Sequence, residues 1–230
     1  MRNKREKISF SLKFVTAGAA FVGVIWSFFN ASADGYSHWS KRLLYFTSQS
    51  NLWIALTFIA ILVAMKLKRL SADTRVKNFL YILKYVFTVS ITLTGFIFCA
   101  VLAPGSANAN YNAWTAASIL THVAVPILSV VDFFVDTYRV TLLKRHSLIA
   151  LAPPFLYSVF ASILCVMKVD FGRGEPFPYF FFNYYSPAGI FGTSDVMPYR
   201  IGSFYWIAFM LFLILGVAAL YRRLYVKNGK

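Results

Sequence analysis

The stretch Leu43–Met65 reads LLYFTSQSNLWIALTFIAILVAM, an apolar run whose opening, Tyr45-Phe46-Thr47-Ser48-Gln49-Ser50-Asn51, is mostly polar. A membrane-spanning helix needs about 20 predominantly apolar residues, and this run supplies them. Hydrocarbon offers no water to an unpaired hydroxyl or amide, so the polar cluster needs partners on neighbouring helices or a wet cavity. At about 100° per residue, Thr47, Ser50 and Asn51 share one helix face and Gln49 points away. Two accounts of that face stand side by side. Ser, Thr and Asn are common hydrogen-bonding contacts between membrane helices; a functional site is the other.

The rest of the chain agrees with a membrane protein. It is 59% hydrophobic and 13% charged, with a mean hydropathy of +0.62, outside the range of soluble domains. The net charge of +15 does not point to nucleic acid, because Lys and Arg fall in short blocks between apolar runs, as topology signals do. Cys99 and Cys165 lie in apolar segments at a spacing that fits no metal or redox motif, and read as small hydrophobes. No metal site and no cofactor is expected.

Six helices are expected, over Ile8–Phe29, Leu43–Met65, Asn78–Leu102, Trp114–Asp136, Ser147–Met167 and Ile201–Tyr221. The fold class is therefore an all-α membrane protein, a six-helix transmembrane bundle forming one domain over residues 1–230. A signal peptide is the rival reading of the first helix, since Ala31-Ser32-Ala33 resembles a cleavage site, but the apolar run exceeds the roughly 7–15 residues of a signal core. Asn30-Ala31-Ser32 also fits a glycosylation sequon. Pro104-Gly105 stops the third helix, and the uncharged segment Ser106–Ala113 reads as a turn. Pro153-Pro154 should bend or break the fifth helix near its start.

Between the fifth and sixth helices, Lys168–Arg200 forms a long loop containing Phe177-Pro178-Tyr179-Phe180-Phe181-Phe182-Asn183-Tyr184-Tyr185. Such rings suit the headgroup layer, as a passive anchor or as a cover over an entrance. Counting Lys and Arg by side gives 16 on the side of both termini and 5 on the other, with Lys13 and Lys84 inside spans. By the positive-inside rule both termini are cytoplasmic and the aromatic loop is external. A bacterial plasma membrane is the expected location.

Of the histidines, only His122 falls inside an expected span, in Thr121-His122-Val123-Ala124-Val125-Pro126, and an ionisable residue at that depth is a functional-site hypothesis by default. The bland alternative is a buried histidine bonded to a neighbouring helix. Pro126 lacks the N–H that would bond the His122 carbonyl, so the backbone there is open. Thr115, Ser118, His122 and Ser129 form a stripe at helical spacing. Thr47 lies about 6 Å, and His122 about 12 Å, below the outer ends of their helices, so the two can meet in the outer half of the membrane. A threonine hydroxyl is a weak nucleophile, and an adjacent imidazole is the usual means of taking its proton. Asp132 lies about 15 Å along the helix from His122 and completes no triad. It and Asp136 are expected to meet cations at the inner surface or to pair with Lys84. Asn51, or a Ser or Thr of the third helix, is the better candidate to orient His122, and no oxyanion donor stands out.

With Thr47 on the second helix and His122-x-x-x-Pro126 on the fourth, a Tyr-Phe-Thr opening, and Phe177-Pro178-Tyr179-Phe180 before the sixth helix, the chain resembles a prokaryotic relative of the androgen-induced / androgen-dependent TFPI-regulating family of six-pass membrane hydrolases. That resemblance implies hydrolysis of fatty acid esters of hydroxy fatty acids, with Thr47 as nucleophile and His122 as base. The chain departs from the family in its more polar Ser48-Gln49-Ser50-Asn51 and its longer aromatic loop, so another acyl ester or an acyl transfer stays open. The expected reading is an intramembrane lipid esterase acting on a lipid substrate within the bilayer, with Ser48, Ser50, Asn51, Ser118, Thr88 and Thr92 as binding or orienting residues. The alternatives are a small transporter or channel with its polar path through helices two to four, and a non-enzymatic scaffold. A haem protein is disfavoured, since one intramembrane histidine supplies no axial pair.

Overall fold

The computed structural model describes residues 4–105 and 113–227. The chain is 73% helical, with no strand among the described residues. Six helices are long and apolar enough to cross a membrane: α1 (Lys4–Phe29), α2 (Phe46–Lys66), α3 (Thr74–Leu102), α4 (Ala116–Val135), α5 (Lys144–Val166) and α6 (Ser203–Lys227). Except for Ala113, the expected turn Ser106–Ala113 lies outside the described residues, as do Arg2 and Lys230 of the charge count.

The helix ends differ from the hydropathy boundaries for local reasons. α1 and α6 run on into their basic ends, because helical hydrogen bonding continues where apolarity stops and Lys and Arg stems reach outward. α2 begins at Phe46 rather than Leu43. Trp39–Leu44 wind instead into a 3₁₀ turn, whose N-cap His38 accepts the Ser40 N–H at 3.3 Å. Thr47 therefore sits in the first turn of α2, ahead of the helix's first i→i−4 bond, from Gln49 N–H to the Tyr45 carbonyl at 3.2 Å. α5 is interrupted at Ala150 and Leu151, immediately before Pro153-Pro154.

α1 to α4 close a ring: α1 packs on α2 and α4, and α3 packs on α2 and α4. α5 and α6 lean on α3 outside that ring. One core lies inside it, built on Ile54, Ala55, Phe58 and Ile61 of α2 with Ala20 of α1, Ile91 of α3 and Val125 of α4. The second lies between α3, α5 and α6 and takes in Phe171, Phe181 and Phe182 from the long loop. Of the loop's rings Tyr185 stays exposed, whereas Phe171, Phe181 and Phe182 are core residues. They are buried, each contributing about 1.5–3 kcal/mol of apolar burial, and the loop is fastened across one end of the bundle.

Where α3 meets α4, a Cβ on Gly95 would lie 2.9 Å from the His122 carbonyl oxygen and 3.0 Å from Pro126 Cβ. Glycine there is what allows the two backbones to approach. α4 widens into a π turn over Leu120–Ala124, just ahead of Pro126, where the sequence reading places an open backbone.

Asp132 and Asp136 meet Lys84, as one expectation held, and also Lys13. Lys13 Nζ lies 2.9 Å from Asp132 and 2.6 Å from Asp136, and Lys84 Nζ lies 2.6 Å and 2.5 Å from the same two residues. Ser9 adds a hydroxyl bond to Asp132 at 2.8 Å. These two cations and two anions are buried together and tie α1 and α3 to the far end of α4 from His122.

Candidate active site

Thr47 and His122 touch, Thr47 Oγ1 lying 3.2 Å from His122 Nε2. The other ring nitrogen, Nδ1, is 3.0 Å from the Ser118 carbonyl and 3.1 Å from Thr121 Oγ1. A carbonyl only accepts, and the Thr121 hydroxyl already donates to the Ala117 carbonyl at 2.8 Å. Both therefore require the proton on Nδ1, which leaves the Nε2 lone pair facing the Thr47 hydroxyl. That is the tautomer a general base needs. Phe98 holds the imidazole plane by stacking on it, centroids 4.0 Å apart.

The hydrogen bonds that orient His122 come from its own helix, not from Asn51 or a Ser or Thr of α3, whose contribution is the Phe98 ring. The buried Asn51 amide instead donates to the Thr47 carbonyl at 2.8 Å and the Thr121 carbonyl at 3.0 Å, stapling the backbone of one partner to the neighbour of the other. Ser50 bonds the Thr47 carbonyl at 3.1 Å and Thr94 Oγ1 at 2.8 Å, joining α2 to α3. Ser48 and Ser118 line the chamber in front of the pair. Gln49 turns back to the Leu43 carbonyl at 3.0 Å.

Thr88 and Thr92 are not brought to the pair. Thr88 is buried in α3 away from the chamber and its hydroxyl has no partner among the described residues. Thr92 donates to the Thr88 carbonyl at 2.8 Å and meets the Tyr221 hydroxyl at 3.2 Å, toward α6. It shares with His122 only an open apolar groove between α3 and α4. Ser129 returns its hydroxyl to the Val125 carbonyl at 2.7 Å.

Two spaces meet at Thr47. One is a polar chamber of about 280 Å³ lined by Asp34, Arg42, Ser48, Ser118, His122 and Arg173 among others. The second is a narrow apolar slot of about 50 Å³ between Leu93, Ile97, Pro154, Tyr157, Phe182 and Met210. Thr47, Leu102 and Tyr179 border both. An amphiphile with its polar part in the chamber and the first carbons of its chain in the slot would pass its junction over the Thr47 hydroxyl.

Tyr179, like Phe98 and Thr121, is a residue that sequence reasoning did not place at the site. Its hydroxyl is 3.5 Å from Thr47 Oγ1 and receives the Thr47 N–H at 3.4 Å. Burial raises its pKa to about 12, against a weaker opposing effect of the bonds to Thr47, so at neutral pH it is a donor. Its only signal in the sequence was its membership of the Phe-Pro-Tyr-Phe stretch. Comparison with family models, characterised proteins and solved structures returns no match, so the resemblance noted above rests on the motifs themselves.

Proposed function

We propose that the protein is an intramembrane threonine-dependent lipid esterase. The observation that carries the reading is the Thr47–His122 contact of 3.2 Å at the junction of a polar chamber and an apolar slot, with the imidazole tautomer set for base catalysis. The first carbons of the fatty acyl chain enter the slot, the rest of the chain lies in the bilayer, and the ester carbonyl meets Thr47 Oγ1. As the oxygen attacks, its proton passes to His122 Nε2, and the C–O bond to the alcohol then breaks with His122 returning the proton to the leaving oxygen. Water, deprotonated by the same nitrogen, cleaves the acyl-threonine and releases the acid.

Negative charge on the carbonyl oxygen is met by the Ser48 N–H in the first turn of α2 and by the hydroxyl of Tyr179, which itself accepts the Thr47 N–H. These donors need no rearrangement of the helix, and the N-terminal end of α2 favours an anion. The resemblance suggests fatty acid esters of hydroxy fatty acids as one substrate. In this reading both termini face the cytoplasm of a bacterial cell and the pair lies in the outer half of its plasma membrane.

The test is turnover of chromogenic acyl esters by purified protein. Thr47→Ala and His122→Ala should each lose at least about 10³-fold in kcat while remaining folded. Native turnover in either variant would remove the assigned roles. Gradient-driven flux through reconstituted vesicles that survives Thr47→Ala would favour transport instead.

A further inference from the structure

We propose that the polar chamber is an anion subsite in which Arg42 and Arg173 receive a phosphate only a few bonds from the scissile ester, making acylated glycerophosphates the substrate class. The inference rests on the esterase reading for where the ester lies, and on the chamber's own residues for the anion. The chamber is lined by two arginines and one acid, Asp34. Asp34 pairs with one terminal nitrogen of Arg42 and its carbonyl accepts the Arg173 Nε–H at 3.1 Å, while among the described residues the buried Arg42 Nε has no hydrogen-bond partner. An orphaned donor on a charged group is costly, and a bound oxyanion removes the cost.

The two guanidiniums are brought together by construction. Both lie over the Tyr36 ring, at 4.0 Å for Arg42 and 4.6 Å for Arg173, though they come from loops far apart in sequence. The Arg173 turn is preformed: Asp170 accepts the N–H groups of Gly172 at 2.7 Å and Gly174 at 2.9 Å, holding the residues on either side of Arg173. Gly172 has φ +115°, and a Cβ there would lie 2.6 Å from Tyr36 Cδ1. Ser37 N–H bonds the Gly172 carbonyl at 2.6 Å and Lys41 bonds the Asp170 carbonyl at 2.7 Å, welding this turn to the loop that carries Arg42. Three of the five cations on the sparsely charged side thus converge on one corner, which a topology signal does not explain.

Size sets the spacing. A chamber of about 280 Å³ holds a head of roughly ten heavy atoms, about that of glycerol phosphate. The anion and the ester oxygen therefore share one small space. A carboxylate at the far end of a long hydroxy fatty acid would lie outside it.

The experiment compares kcat/KM for 1-palmitoylglycerol 3-phosphate, 1-palmitoylglycerol and a palmitoyl ester of a long hydroxy fatty acid, using the purified full chain in detergent micelles. The phosphate ester should be preferred over the neutral ester by at least about tenfold, and that ratio should fall about tenfold in Arg42→Gln and in Arg173→Gln. Arg173 lies at the exposed mouth, so its variant keeps the test open should Arg42→Gln fail to fold. Equal rates on the phosphate and neutral esters, or faster turnover of the hydroxy fatty acid ester, overturns the proposal. Thr47→Ala protein is titrated in parallel with the ether analogue 1-hexadecylglycerol 3-phosphate and with hexadecylglycerol, which separates this inference from the esterase reading. At least tenfold tighter binding of the phosphate, lost on adding Arg173→Gln, supports the subsite even if no ester is cleaved; equal binding of the two ethers overturns it.

Discussion

Replacing Lys84 by Met tests how α4, and with it His122, is held. Lys84 is buried and contacts Asp132 at 2.6 Å and Asp136 at 2.5 Å, within a group of two lysines and two aspartates that is neutral overall. At an effective dielectric constant of 20, each contact is worth about 6 kcal/mol of gross attraction, much of which offsets the cost of bringing the charges out of water. The substitution leaves Lys13 alone against two buried carboxylates, so the net loss should be about 3–5 kcal/mol, the usual result of breaking a buried pair from one side. Lys84→Met combined with Asp136→Asn restores neutrality and should recover most of that loss. The assay is reversible unfolding in dodecyl maltoside titrated with sodium dodecyl sulfate, followed by tryptophan fluorescence. A single variant within about 1 kcal/mol of native, or a double variant no more stable than Lys84→Met, would refute the reasoning, since an uncompensated buried charge is the only source of the predicted penalty.

The remaining predictions concern the site. Tyr179→Phe removes a hydroxyl that accepts the Thr47 N–H at 3.4 Å and lies 3.5 Å from Thr47 Oγ1; it should lower kcat by about 10- to 100-fold, less than loss of a short oxyanion bond, with KM little changed in steady-state kinetics. Gly95→Ala places a methyl 2.9 Å from the His122 carbonyl oxygen; it should cost about 1–3 kcal/mol in the same unfolding assay and lower kcat by shifting His122 from Thr47. Asn51→Leu leaves the Thr47 and Thr121 carbonyls without their shared donor and should cost about 1–3 kcal/mol. Met210→Trp fills the apolar slot, so a series of acyl esters should shift its optimum toward shorter chains; an unchanged chain-length profile would place the acyl group elsewhere.

The six helices were legible in the sequence because each is an apolar run of spanning length, and the α5 break because prolines 153 and 154 cannot continue the ladder. The meeting of Thr47 and His122 was legible to within helix-boundary error, since both residues lie near the N-terminal ends of spans that run in the same direction. The start of α2 was not, because Leu43, Leu44 and Tyr45 are as apolar as the helix they precede, and only the 3₁₀ turn shows that Thr47 sits at an N-terminus. Ser118 was visible on the same helical stripe as His122, but hydropathy gave no hint that it acts through its backbone carbonyl or that Thr121, in the π turn, joins it. Tyr179 and Arg173 reach the site from a loop more than 120 residues beyond Thr47 and Arg42, and no local pattern reports such a contact. The buried lysines were visible as anomalies within spans and Lys84 as a candidate partner of Asp132 and Asp136, but that Lys13 joins them depended on the helix packing.

The most direct measurement is labelling of the purified protein with a long-chain alkyl fluorophosphonate, with the adduct located by peptide mass spectrometry. The proposed chemistry predicts one covalent phosphonyl group on the Thr47 hydroxyl, absent in Thr47→Ala and formed at least about 10³-fold more slowly in His122→Ala. An adduct on another residue, or labelling of Thr47→Ala at the native rate, would contradict it.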